Sequence, residues 1–363
     1  MTHATEKIAV GILGATGTVG QRFIQLLEGH PYFYVAALGA SPRSAGKAYS
    51  DAASRSWKQS TAIPAEVASL IVQSCEVQNF KQCRVIFSGL DSDVAGEIET
   101  AFLKAEFAVF SNAKNHRMDP IVPLVVPVVN SAHLDIIPHQ RSVHGLKKGF
   151  LVTNANCSTT GLVVALKALQ DAFGPLSRVV VTTMQAISGA GYPGVPSLDI
   201  LGNIVPYISG EEDKLETECA KILGATNSDA TGFTAPAELK VSASCNRVPV
   251  IDGHMESVMV EFAKRPAPSV DQITAALKSY TSDAQKLGVP SAPENPIIVK
   301  SEADRPQPRL DIMVGNGNAI AVGRIRECNI FDVKFSLLSH NTILGAAGSS
   351  IMNAEIAVAK NLI

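Results

Sequence analysis

Ten residues near the start, Gly11-Ile12-Leu13-Gly14-Ala15-Thr16-Gly17-Thr18-Val19-Gly20, restrict the fold more than any other feature. They join an apolar, β-branched run at 8–13 (IAVGIL), which reads as a buried parallel strand, to a stretch in which Val19, Phe23, Ile24, Leu26 and Leu27 recur with helical spacing. A glycine triplet between a first strand and a first helix is the context a dinucleotide fingerprint requires. Gly14 and Gly17 let the backbone turn sharply and approach a pyrophosphate, while Gly20 lets the helix lie close to the strand. The helix start offers free N–H groups to the anion, so Gly14, Thr16, Gly17, Thr18 and Val19 are the expected cofactor contacts. A second strand, expected at 34–38, runs on into Gly39-Ala40-Ser41-Pro42-Arg43. An NAD site usually places an acid there for the ribose hydroxyls. Ser41 and Arg43 suit a 2′-phosphate instead, so the expected nucleotide is NADP.

Further strands are expected at 85–88 (VIFS) and 108–111 (AVFS), with a helix around 94–104 between them. This alternation argues for a doubly wound parallel sheet up to about residue 130. After Asn154 the pattern changes. A helix is expected over 158–173, then β-type stretches at 179–186, 239–244, 254–262, 310–314 and 319–326, then a helical tail over 342–363. Side chains in 254–262 alternate between two faces, as in a mixed or antiparallel sheet with one covered face. The 363 residues suffice for two domains. The expected class is α/β: an N-terminal doubly wound parallel sheet followed by an α+β domain with a mixed sheet.

Charge and thiols narrow the function. The net charge is -2 and no Lys/Arg run exceeds isolated pairs such as Lys147-Lys148, which argues against nucleic acid and anionic membranes as partners. The longest apolar candidate, 122–129, is broken by Pro123 and Pro127 and falls short of the ~20 residues a bilayer needs. No signal peptide is expected, because Glu6 and Lys7 lead at once into the first core strand. Six cysteines without a CxxC pair point to a reducing compartment and to no metal site, so a soluble, cytoplasmic protein is expected. Charged residues are only 18%, which points to surface hidden in an oligomer.

One thiol stands apart. Residues 150–161 (FLVTNANCSTTG) read as a short strand running into Asn154-Ala155-Asn156-Cys157, with a helix opening at Ser158. The partial positive charge of a helix start is expected to favour the Cys157 thiolate, and its free N–H groups to hold an oxyanion beside the sulfur. The other five thiols lack this setting and read as structural. A thiol nucleophile needs a proton manager. His254 follows the Gly253 turn and begins a strand, so it is a candidate, as is His116. His3, His30, His133, His139, His144 and His340 read as loop or surface residues.

The glycine-rich start, NANCSTTG at 154–161, MQAISGAGYPG at 184–194, GEEDK at 210–214 and CNRVPVIDGH at 245–254 together closely resemble the aspartate-semialdehyde dehydrogenase family. SNAKNHRMDPIVPLVVPVVN at 111–130 is similar to its archaeal and fungal branch, which usually carries glutamate where this chain has Val128. The resemblance covers nearly the whole chain. It implies a Rossmann domain (1–153, closed by the C-terminal helix in 341–363) and a catalytic and dimerisation domain (154–340) in a homodimer or homotetramer. By position, Cys157 is the nucleophile, His254 the acid/base, and Gln185 orients the reacting group. Arg247 grips the substrate carboxylate and Glu211, chosen over Glu212 by its spacing to Lys214, holds the amino group. Lys214, Asn112, Lys114 and Arg117 make the phosphate site. Ser88, Ser188, Gly189 and Asn341 contact the cofactor.

The implied reaction is NADPH-dependent reduction of aspartyl phosphate to aspartate semialdehyde and phosphate through a Cys157 thioester. It belongs to the biosynthesis of threonine, methionine and isoleucine, and of lysine in some organisms. A reductase of a malonyl-CoA-type thioester would use the same cysteine and histidine and is the alternative.

Overall fold

In the computed structural model, which describes residues 6–363, the glycine-rich turn sits at the centre of a six-stranded parallel sheet. Its strands are β1 (Ile8–Leu13), β2 (Phe33–Ala40), β3 (Val72–Ser74), β4 (Val85–Ser88), β5 (Ala108–Ser111) and β6 (Phe150–Thr153), in the order β3-β2-β1-β4-β5-β6. β4, β5 and β6 are wholly buried four-residue runs, as expected of a parallel sheet covered on both faces. The winding direction reverses between β1 and β4, which opens a crevice at their carboxyl ends.

The helices that matter here are α1 (Thr18–Leu27), α2 (Ser92–Lys104), α3 (Cys157–Phe173), α4 (Glu211–Ile222) and α5 (Gly348–Ala359). α1 turns its apolar face, Phe23, Ile24 and Leu27, onto the first sheet. α5 returns from the end of the chain to pack on β4 and β5.

The second sheet is mixed. It holds β7 (Leu176–Gln185), β8 (Lys240–Arg247), β9 (His254–Phe262), β10 (Ile297–Val299), β11 (Ile320–Glu327) and β12 (Val333–Ser339), in the order β8-β7-β9-β12-β11-β10. β7 runs parallel to β8 and antiparallel to β9, which is itself antiparallel to β12. Val179, Val181, Thr183 and Gln185 of β7 share a buried face with His254, Glu256, Val258 and Val260 of β9. Register then sets the site: Arg247 lies opposite Gln185, and His254 lies opposite Ser339, all at one end of this face.

Three sequence expectations fail here. Residues 310–314 form no strand. Pro308–Asp311 is a helical turn, nucleated by Pro308 at its start and by the Asp311 carboxylate, which accepts from the Gln307 N–H at 2.7 Å and pairs with Arg305. Conversely β12 went unread, although Val333, Phe335 and Leu337 alternate strictly and are buried. Finally His30 and His340 lie in loops as expected, but they and His133 are buried and not at the surface. The His30 Nε2 lies 2.7 Å from the Glu355 carboxylate, with its ring stacked on Phe33 at 5.0 Å. His3 lies outside the described residues. Val128 is fully buried and only its carbonyl is engaged, by the Tyr280 hydroxyl at 2.8 Å.

Candidate active site

Cys157 is the first residue of α3, and Asn156 is its N-cap. β6 delivers this corner to the foot of the second sheet, where the Cys157 Sγ lies 3.1 Å from the His254 Nε2. Around them lies a cavity of about 340 Å³, lined by Asn156, Gln185, Gly189, Glu211, Lys214 and Arg247, with Ala190, Ile208 and Ser209 on its walls. One peptide orients two of these side chains. The Ala186 N–H donates to the His254 Nδ1 at 3.1 Å, and the Ala186 carbonyl accepts from an Arg247 terminal nitrogen at 2.7 Å. With Nδ1 accepting, the neutral imidazole carries its proton on Nε2, the nitrogen facing the sulfur. Gly189 must be small, because a Cβ there would stand 2.9 Å from the Arg247 guanidinium and 3.2 Å from the His254 Nε2.

Glu211, the first residue of α4, organises the opposite wall. One carboxylate oxygen accepts from Asn156 and Gln185 side-chain amides, both at 2.8 Å, and the other pairs with the Lys214 Nζ at 2.9 Å. Burial alone would raise its pKa, but Lys214 and these amides prevail and hold it below the usual carboxylate range. Glu211 is therefore ionised, and it is the residue in the cavity. Glu212 is exposed and accepts instead from the Cys245 N–H at 3.0 Å.

The electrostatics overturn the expected low-pKa thiolate. Burial, with the Glu211 charge behind it, pushes the Cys157 thiol up to about 12, against the pull of Arg117, Arg247 and Lys214. Burial likewise pushes His254 down, so both shifts favour a neutral thiol beside a neutral imidazole. The expected oxyanion donors are also reduced. The Ser158 and Thr159 N–H groups donate to the Asn156 side chain at 2.9 and 3.2 Å, which leaves the Cys157 N–H as a first-turn donor without a protein acceptor among the described residues. Glu256, two residues beyond His254 on the same face, is fully buried with neither oxygen partnered, and burial raises its pKa well above the ordinary value.

The crevice above β1 and β4 offers close backbone approach and free N–H donors to a dinucleotide. Gly14 adopts φ +75°, and a Cβ there would meet the Gly89 carbonyl at 2.6 Å. Gly20 approaches more closely still, since its Cβ would lie 2.2 Å from the Gly14 oxygen. α1 starts at Gly17 with no side-chain cap and no acid in its first turn. The Thr18 and Val19 N–H groups have no protein acceptor among the described residues. Thr16 lies in the turn itself, and its carbonyl accepts from the Gln21 side chain at 2.9 Å. Ser41 and Arg43 are exposed beyond the end of β2, and Arg43 makes no ion pair among the described residues. The Ser88 hydroxyl is buried and unpartnered at the end of β4. The loop carrying Ser188 and Gly189 spans the two sites. The Tyr192 N–H donates to the Thr18 hydroxyl at 3.0 Å, and the Asn341 amide joins the Ser188 hydroxyl to the Gly253 N–H, both at 2.8 Å.

Sequence reading and structure thus agree on bringing together Cys157, His254, Gln185, Arg247, Glu211, Lys214 and Gly189. Asn112, Lys114 and Arg117 do not line the cavity. The Asn112 side chain is engaged on the Ser88 carbonyl, the Ser350 hydroxyl and the Asn154 amide, so it ties strand ends together and has no donor left for phosphate. Lys114 is exposed on the adjoining loop. Arg117 is buried, bound to Glu218 at 2.8 Å and to the Asn112 carbonyl at 2.8 Å, with its Nε unpartnered. His116 stands apart, 3.9 Å from Glu99. Asn156 was missed, although an asparagine directly before a helical run is an N-cap signal.

Known proteins match this sequence and fold. Residues 9–137 match the NAD-binding domain of semialdehyde dehydrogenases, and residues 166–344 match the semialdehyde dehydrogenase dimerisation domain. The aspartate-semialdehyde dehydrogenase of Cryptococcus neoformans is 60% identical over 361 residues, 98% of each chain. That of Archaeoglobus fulgidus is 48% identical over 357 residues, 98% of this chain and 100% of its own. The crystal structure of aspartate semialdehyde dehydrogenase with NADP from Candida albicans superposes with a TM-score of 0.91 at 54% identity, covering 98% of this chain and 100% of that one. With a matching fold and full-length identity of this order, the chain belongs to the aspartate-semialdehyde dehydrogenase family.

Proposed function

We propose that this protein reduces aspartyl phosphate to aspartate semialdehyde and phosphate with NADPH, through a thioester on Cys157. The observation that carries this reading is the Cys157–His254 contact of 3.1 Å in a cavity that presents a guanidinium, a carboxylate and an ammonium to a substrate bearing a carboxylate, an ammonium and a phosphate. Arg247 faces the carboxylate, for which the planar fork suits better than a lysine would. Glu211 faces the amino group. Lys214 faces the phosphate from the cavity wall; Arg117, outside that lining, adds its positive charge beside the Cys157 sulfur, and Lys114 of the same loop is the remaining cation assigned to the phosphate.

As the neutral thiol attacks the acyl carbon, its proton passes to the departing phosphate, which leaves as hydrogen phosphate, because His254 already carries its own proton on Nε2. Arg117, Arg247 and Lys214 favour the anion, and the His254 Nε2–H donates to the sulfur. Gln185, braced on Glu211 at 2.8 Å, and the Cys157 N–H orient and stabilise the developing oxyanion. NADPH bound in the crevice supplies the hydride, and the glycine turn, the Thr18 and Val19 N–H groups, Ser41, Arg43, Ser88, Ser188 and Asn341 are the residues that would hold it. His254 then serves as the acid while the hemithioacetal collapses and the thiol is restored. Cysteine is required because a thioester has less resonance stabilisation than an ester and accepts hydride more readily.

The cofactor unit comprises the residues up to 153 with 341–363, and the catalytic unit comprises 154–340. The match to the family's dimerisation domain supports a homo-oligomer, a homodimer or homotetramer. No helix among the described residues is long and apolar enough to cross a membrane, and all six cysteines are free, which fits a cytoplasmic enzyme. The relatives' names favour the acyl-phosphate substrate over a coenzyme A ester. The test is NADPH formation from aspartate semialdehyde with and without inorganic phosphate. Turnover should require phosphate; turnover that requires coenzyme A instead would overturn the assignment.

A further inference from the structure

α4 does more than supply Glu211 and Lys214. Glu211, Lys214, Glu218 and Lys221 recur at spacings of three, four and three, which places them on one helix face. Glu218 and Lys221 are buried, touch no wall of the cavity and still face the same way. One Glu218 oxygen accepts from the Arg117 guanidinium at 2.8 Å, and the other accepts from the Asn156 N–H at 2.6 Å. A single carboxylate therefore ties the phosphate-side guanidinium to the residue that caps the nucleophile's helix. Lys221 donates to the carbonyls of Arg117, Asp119 and Val122 at 2.8, 2.7 and 2.8 Å, which spends all three ammonium protons on the loop that carries Arg117. Side chains this buried are held in place only because each finds its partners.

We propose that Glu218 and Lys221 are positioning residues for the phosphate side of the active site, fixing Arg117 relative to Cys157 so that the leaving group and the nucleophile are held in one frame. The inference rests on the reading of Arg117 as a phosphate ligand and extends it. Arg117 has its Nε left without a partner, and among the nearby cations its charge favours the Cys157 thiolate most. With one terminal nitrogen on Glu218 and the other on the Asn112 carbonyl, the guanidinium plane is fixed by two charge-assisted or polar contacts before any anion arrives. A carboxylate serving only to satisfy a helix end would not need to bridge these two groups.

The experiment measures the Michaelis constants for phosphate and for aspartate semialdehyde separately, in the NADP-reducing direction, for Glu218→Gln, Glu218→Asp, Lys221→Met and Arg117→Lys. Glu218→Gln should raise the phosphate constant about ten-fold, the size expected from one lost charge-assisted contact, with the semialdehyde constant within about two-fold of wild type. Glu218→Asp should recover part of that loss, and Lys221→Met should move the phosphate constant in the same direction. The rate of Cys157 alkylation by iodoacetamide should lose protection by inorganic phosphate in parallel. If Arg117→Lys leaves the phosphate constant unchanged, the phosphate reading of Arg117 fails. If Arg117→Lys raises it and Glu218→Gln does not, the positioning role fails while that reading stands. An equal rise in both constants marks Glu218 as merely structural and also overturns the proposal. If Glu218→Gln does not fold, Glu218→Asp decides by the same split.

Discussion

α1 and α3 both begin at the carboxyl end of a parallel strand, and they use that position in opposite ways. α1 starts at Gly17, which offers no side-chain cap, so its first N–H groups face the crevice unclaimed. α3 starts at Asn156, whose side chain takes the Ser158 and Thr159 N–H groups for itself. The first is an anion receptor made of backbone, for which charge on side chains matters little. At the second, the helix end is mostly satisfied internally, and the chemistry depends on side chains brought from β7, β8, β9 and α4. The same local motif therefore predicts different sensitivities. The α1 site should respond to anything that fills its donors. The α3 site should respond to loss of individual functional groups.

The largest effects belong to the α3 site. Cys157→Ser should cost at least about 3 kcal/mol of transition-state stabilisation, and Cys157→Ala more, since only the thioester is a ready hydride acceptor. Steady-state turnover and mass spectrometry of quenched enzyme check this; near-normal rates or an acyl group that never appears on Cys157 would remove the nucleophile. His254→Ala should fold and lose ~10²-fold in turnover. Its pH–rate profile should change as well, and an unaltered profile would mean that the imidazole moves no proton.

The contrast between the two helix starts has a sharper test. Gly17 has φ -80° and ψ 169°, an extended conformation open to any residue, and a Cβ there would meet nothing nearer than 3.4 Å. Gly17→Ser therefore adds an N-cap to α1 without strain. Because serine caps only a few tenths of a kcal/mol better than glycine, thermal stability without cofactor should stay level or rise slightly. The added hydroxyl competes for the N–H groups that the pyrophosphate needs, so the Michaelis constant for NADPH should rise about ten-fold at unchanged affinity for aspartate semialdehyde. Unaltered NADPH binding would mean that the free N–H groups of α1 are not the anion receptor.

The difference between the two sites also marks what a sequence conveys. The α1 site was legible because backbone donors follow from glycines, strand and helix, all local features. At the α3 site, Cys157, His254, Gln185, Arg247 and Glu211 were identified by motif, but their protonation was not. Whether the thiol is anionic depends on how deeply it is buried and on Glu211, contacts made across α3, α4 and the second sheet. The same limit hid Glu218, whose partners Arg117 and Asn156 are 101 and 62 residues away. The contacts of Asn112 were equally hidden, because its partners Asn154 and Ser350 arrive from the end of β6 and from α5. By contrast β12 was missed despite a clear period-two pattern, and 310–314 was overread from apolar content alone where Pro308 and Asp311 close a helical turn.

Buried acids offer the finest test of the same contrast, since one lies beside each site. Glu99 of α2 accepts from the Ser111 hydroxyl at 2.8 Å and has His116 at 3.9 Å, whereas Glu256 of β9 has no partner for either oxygen. Burial raises both pKa values, and for Glu256 Glu211 adds to the rise, while the nearby Ser88 and Ser111 hydroxyls, His116 and Arg117 oppose it for Glu99. A raised pKa in the folded state leaves stability intact below the unfolded value. Stability is then lost as pH climbs from that value towards the folded one, because the unfolded chain releases its proton first. Wild type should therefore weaken progressively above about pH 5 on account of Glu256. Glu256→Gln keeps the shape and the neutral state but cannot titrate. Its urea midpoint, compared with wild type, should gain with rising pH at a slope approaching the one-proton limit, while turnover at neutral pH stays close to normal. Glu99→Gln should gain with the same sign and a shallower slope, because Ser111, His116 and Arg117 already offset part of the burial cost. A Glu256→Gln difference that does not vary with pH would mean that this buried carboxyl, two residues beyond His254, is ionised in the folded protein.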